Sequence, residues 1–161
     1  MSNPTDDDEA WVDDADAISK VAFRLALEQN FADAGKTLQG LGAKHGTAGL
    51  VRAMVDFCDV YMSYMFGDGP VWIPDPDAVL LVDASTGEAQ RDLSTLQPAQ
   101  AWVVRMVQAR GMQDESRWWA LCDEITTPGQ AGEYIMTMLF MVTSTIRTLP
   151  EGAGNMGHVP S

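Results

Sequence analysis

The sequence predicts an all-α protein of six helices, arranged as two similar three-helix halves. Three observations carry this reading. Residues 18–66, moved along by 81 positions without a gap, lie on residues 99–147, so that Arg24 falls on Arg105, Asp33 on Asp114, Lys36 on Arg117 and Ser63 on Ser144. Apolar residues recur at three- and four-residue intervals inside both copies, the period of a helix with one buried face. Helix punctuation recurs as well: Asn30 in the first copy falls on Gly111 in the second, and both types end helices in the left-handed conformation.

Residues 1–14 read as a solvated, disordered acidic tail. Asp6, Asp7, Asp8, Glu9, Asp13 and Asp14 repel one another, and Trp11 and Val12 are the only sizeable apolar residues after Met1. The helical domain spans 15–150, with halves 16–66 and 97–149. Its first helix starts near Asp13, where acids favour the exposed N–H groups. Ile18, Val21, Ala22, Leu25 and Ala32 share one face, and Phe23, Leu27 and Phe31 share another. Asp33 and Asp114 are placed to cap short second helices near 34–43 and 115–125. Third helices follow near 48–66 and 130–149, with Thr47 as a cap in the first and Pro128 as an entry residue in the second.

The third helices are apolar over most of their circumference. Arg52, Asp56, Asp59 and Ser63 form one narrow polar stripe, matched by Glu133, Thr137, Phe140 and Ser144. Such helices are buried more deeply than a surface helix. Between the halves, residues 67–96 form a linker rich in proline and glycine at its start. Within it, Val79–Val82, a turn at Thr86-Gly87 and a second extended stretch suit a small hairpin. Residues 151–161 read as a flexible tail.

Composition sets limits on function. The chain has 161 residues, 46% hydrophobic and 20% charged, an ordinary globular balance. Its net charge is −13, of which residues 1–16 carry seven acids and no base. The ten bases are scattered, so there is no footprint for nucleic acid or for an anionic membrane surface. No apolar run reaches the ~18 residues of a membrane span. The N-terminus has no basic and apolar regions of a secretory leader. Two cysteines make no disulfide framework, and reduced thiols in the cytoplasm are the simplest reading. Arginine in excess of lysine suits a GC-rich bacterial or phage coding sequence.

Chemistry-bearing constellations are sparse. Asp56 and Asp59 share a face with Arg52, which reads as a solvated ion-paired stripe. Asp68, Asp75, Asp77, Asp83 and Glu88 lack the ligand spacing of a calcium loop, because Val79–Val82 falls where ligands belong. His45, beside Gly46, suits a helix-end cap, and His158 lies in the glycine-rich tail. Cys58 falls on a buried face, where a thiol is inert, and Cys122 reads the same way. No phosphate-binding glycine loop, nucleophile elbow, H-E-x-x-H or C-x-x-C motif is present. The reading assigns no catalytic residue, no metal site and no cofactor, and leans away from an enzyme.

What remains points to contact with another protein, including a second copy of this chain. Trp11 is an aromatic anchor among acids. Phe140 is a large apolar residue on an otherwise polar stripe. Met136, with Met138 and Met141, offers an adaptable surface. Trp118 and Trp119 point about 100° apart, so one of them reaches the surface, and Trp118 is taken as the contact. The expected function is a non-enzymatic interaction protein, a homodimer or an adaptor. Two alternatives stand beside it: an acidic mimic that occupies a nucleic-acid-binding protein, and a small-molecule binder or enzyme with a pocket between the repeats.

Overall fold

The computed structural model describes residues 4–67, 81–82, 89–90 and 96–152. Over these the protein is all-helical. Five helices appear: α1 (Pro4–Leu27), α2 (Phe31–Phe66), α3 (Pro98–Gly111), α4 (Glu115–Cys122) and α5 (Pro128–Thr148). Two residue pairs, β1 (Leu81–Val82) and β2 (Ala89–Gln90), are bridged antiparallel, Leu81 to Gln90 and Val82 to Ala89. Residues 83–88, which would close a hairpin, lie outside the described residues. So do residues 68–80, which hold Asp68, Asp75 and Asp77, and residues 153–161, which hold His158.

The count is five, not six, because the second and third helices of the first copy run together as α2. They are separated only by Gly46, at φ 65 and ψ −155. That backbone region is nearly exclusive to glycine. The break falls one residue ahead of Thr47 and 81 residues ahead of Thr127, whose hydroxyl caps α5 by accepting the Gln130 N–H at 3.1 Å. The corner is sharp. A side chain at Gly42 would meet Leu50 at 3.5 Å, whereas residues eight apart in an unbroken helix are ~12 Å apart along the axis. A Cβ on Gly49 would come within 2.6 Å of the His45 Cβ, so the two arms close on a glycine.

Another turn recurs, in a register three residues off the predicted one. Gln29 and Gln113, 84 positions apart, have φ of 64 and 58. After α1, Gln29 N–H donates to Ala26 C=O (2.9 Å) and Asn30 N–H to Leu25 C=O (2.8 Å). After α3, Gln113 N–H donates to Arg110 C=O (3.1 Å) and Asp114 N–H to Ala109 C=O (2.9 Å). Both are Schellman turns. Each is followed at once by a cap: Asn30 Oδ1 accepts from Asp33 N–H (3.4 Å), and Asp114 Oδ1 from Arg117 N–H (3.1 Å). Asn30 is therefore a cap and not the left-handed terminator, and its counterpart is Asp114, not Gly111.

The first helix also begins earlier than predicted. Residues 4–14, read as a tail, belong to α1. Repulsion among the acids opposes an ordered segment there, but the favourable field at a helix N-terminus acts against it. Proline at the first helical position gives up no bond.

The chain divides into two compact units, Met1–Phe57 and Cys58–Ser161. In the first, α1 buries small residues: Ala15, Ser19, Ala22 and Ala26 are essentially inaccessible, with Phe23 beside them. Val21, predicted inward, is exposed. The Phe23 and Phe57 rings lie 5.8 Å apart. In the second unit, α3 packs on α4 and α5, and β1 packs on α5 through the buried Leu81. Trp102 is its largest buried side chain; its Nε1–H donates to Leu121 C=O at 2.9 Å and its ring lies 5.0 Å from that of Tyr134. Tyr64 Oη–H donates to Leu149 C=O at 2.5 Å, and Gly152 N–H returns a bond to Tyr64 C=O at 2.8 Å. These two bonds tie the end of α5 to the end of α2.

Candidate functional site

Two features stand out, one in each unit. In the first unit, α1 and α2 meet along a charged seam. Asp14 Oδ2 accepts from Lys44 Nζ (2.8 Å) and from His45 Nε2 (2.6 Å), and Trp11 lies 5.9 Å from the His45 ring. These two donors, Lys44 first, hold the Asp14 carboxyl below its ordinary value. Two residues along, Arg52 grips Asp16 with Nε to Oδ1 at 2.8 Å and Nη2 to Oδ2 at 3.3 Å. That fork lowers the Asp16 pKa against the opposing effect of burial. Asp56 Oδ1 lies 3.8 Å from Arg52 Nε, one helical turn along α2. Burial, then the neighbouring Asp16, pushes Asp56 up to about 6.

The Asp56–Asp59 stripe is therefore not a solvated face. Arg52 serves Asp16 before Asp56, and the Asp56 side chain is 21% exposed. Asp59, in the second unit, is held by Arg110, with Nε to Oδ1 at 2.7 Å and Nη2 to Oδ2 at 3.0 Å. His45 is not a helix cap, because its ring turns to Asp14. Although His45 and Asp14 form a base-and-orienter pair, His45 makes no hydrogen bond to a hydroxyl or thiol among the described residues. Burial raises the Cys58 thiol far above its ordinary value, and Cys122 is pushed up to about 11 by the same cause. Neither sulfur is a ready nucleophile. No group of three or more His, Cys, Asp or Glu among the described residues is placed to hold a metal ion.

The second feature is the outer face of α4. Trp118 is buried, at 6% exposure, while Trp119 is 55% exposed. The residue chosen from sequence as a contact is thus a core residue, and its neighbour is the one that reaches solvent. A helical signal distinguishes them. Trp118 lies three residues before the buried Leu121, whereas Trp119 lies four residues from both Glu115 and Asp123. Glu115 and Asp123 are exposed. Asp114 caps the helix and the buried Trp118 anchors it, so the position of Trp119 is set from both sides.

The other predicted contacts are scattered. Phe140 is exposed on α5, Met136 is half-buried, and Met138 and Met141 are core. Trp11 is half-buried in the other unit. Nor is the matching stripe uniformly polar and wet, since Ser144 is buried. No helix among the described residues is long and apolar enough to cross a membrane. Comparison with known proteins returns no match to a family model, to a curated protein or to a solved structure.

Proposed function

We propose that this chain is a non-enzymatic interaction protein that docks a basic segment of another protein on the outer face of α4. The observation that carries the reading is Trp119. A tryptophan exposed by half, on a helix whose orientation is set by a cap and a buried neighbour, is a ready anchor for an interface. Its neighbours on that face are carboxylates, which suit an arginine or lysine stacked on the indole. A chain of net charge −13 steers such a partner inward.

Self-association is the second reading, and the exposed Phe140 favours it. Repulsion between two copies of this charge places it behind the first. The nucleic-acid mimic loses support, because Asp14 and Asp16 are engaged by Lys44, His45 and Arg52 inside the unit. The leading reading is tested by titrating the labelled protein with a peptide alternating arginine and leucine. The indole N–H signal of Trp119, assigned through Trp119→Phe, should shift first and furthest among the tryptophans. A signal that stays in place while others move would remove the reading.

A further inference from the structure

The outer face of α4 sets out its groups in a row. Glu115, Trp119 and Asp123 are spaced four residues apart, so they follow one another along the helix in steps of about 6 Å. The row is intact to its end: Asp123 keeps helical angles, φ −68 and ψ −16, and its N–H donates to Trp119 C=O at 3.0 Å. All three are exposed, and neither carboxylate forms an ion pair among the described residues. Arg117, the cation of this helix, precedes Trp119 by two residues, which turns it about 160° away around the axis. No base stands in the last turn of α4, where the helix dipole already favours a cation. The face thus presents carboxylate, indole and carboxylate at an even step, with no matching cation on the same side of α4.

We propose that the occupant of this face is an extended segment with arginine at every second position, its middle guanidinium stacked on Trp119 and its outer two paired with Glu115 and Asp123. The inference rests on the docking role given to Trp119 above and adds the conformation and register of the partner. The spacing carries it. In an extended chain alternate residues share a face and recur every ~6.6 Å, close to the step of the row. A polyproline segment repeats a face only every ~9 Å. A helical partner matches the step, but it docks through an apolar stripe. Apart from Arg117, the other exposed residues of α4 are Ser116 and Ala120, which offer no such stripe. Arginine suits the row better than lysine, since its flat guanidinium stacks on an aromatic face and forks onto a carboxylate.

The test is isothermal titration calorimetry of the full chain with two peptides of equal length, built from the same numbers of arginines and serines. One has arginine at every second position. The other has it at every third, which sends successive arginines to opposite sides of an extended chain. The alternating peptide should bind at least about threefold tighter, the scale of the two exposed ion pairs that the other gives up. Glu115→Gln with Asp123→Asn should erase that preference. Equal affinity of the two peptides for the wild type overturns the proposal; if both still weaken on Trp119→Ala, the docking reading survives it. A preference that persists in the carboxylate pair also overturns the proposal, and binding of neither peptide overturns both readings.

Discussion

Asp56 and Asp59 stand three residues apart on one helix and meet opposite surroundings. Asp59 receives both arms of the Arg110 fork. Asp56 stands beside a fork already occupied by Asp16. A double-mutant cycle of Asp59→Ala with Arg110→Ala should show a coupling of about 1 kcal/mol, as for a bidentate pair open to solvent over a third of its surface. A coupling near zero would mean that the pair only decorates the surface. The pH dependence of stability has two limbs. Asp14 and Asp16 are lowered from 3.8, so their contribution is present above that value and is lost as pH falls through their folded values. Asp56 is raised, so its contribution is complete below 3.8 and is lost as pH rises through about 6. The melting temperature should therefore peak near pH 4 and decline from there to about pH 6. Of this seam the sequence showed the Arg52–Asp56 pair at i, i+4; the contact with Asp16 was not legible, because Asp16 and Asp56 are 40 positions apart and only folding of α2 onto α1 brings them together. The sequence reading took Trp118 as the contact, and Trp118 is buried while Trp119 is exposed; the i−4 and i+4 neighbours Glu115 and Asp123 carry the signal that marks Trp119 instead.

At the scale of elements, α2 depends on its corner. Gly46→Ala would force a side chain into a backbone region that only glycine occupies readily, and should cost about 1–3 kcal/mol in urea denaturation. Gly49→Ala places a methyl against His45 and Leu41 and should cost a similar amount, about 1–3 kcal/mol. Gly40→Ala is the contrast. It lies in the first arm, exposed, with nothing within 4 Å, and should stabilise by about 0.5–1 kcal/mol through helix propensity. Equal effects at Gly40 and Gly46 would remove the corner from the account. The punctuation of these helices was largely readable. The cap at Asp114 and the entry at Pro128 follow from residue type and spacing, the cap at Thr127 came only with the structure, and the turn before Asp114 recurs after α1. Its register was misread by three residues, nearly one helical turn, because a shift of that size leaves the same apolar faces aligned. The start of α1 was misread for a different reason, since an acidic run favours a helix start as well as an open tail. Helical Cα shifts over residues 10–14 in the free protein would verify that start.

For the whole molecule, the charge and the exposed aromatics make separable predictions. Phe140→Asp adds a charge to a chain already at −13 and should leave folding intact. If a second copy is the partner, this substitution shifts a dimer to monomer in sedimentation velocity; if the partner is a basic segment on α4, the wild type sediments as a monomer and the substitution changes nothing. The seam and the α4 face also differ in what moves them: a change from pH 5 to 7 acts on Asp56, while salt acts on attraction between exposed charges. The most direct measurement of the central claim is the affinity of the arginine–leucine peptide for wild type, Trp119→Ala and the pair Glu115→Gln with Asp123→Asn, each at low and high salt. The account predicts at least about a tenfold loss for Trp119→Ala, the scale of an interface anchor, and a weaker salt dependence for the carboxylate pair. Equal affinity of wild type and Trp119→Ala would contradict it.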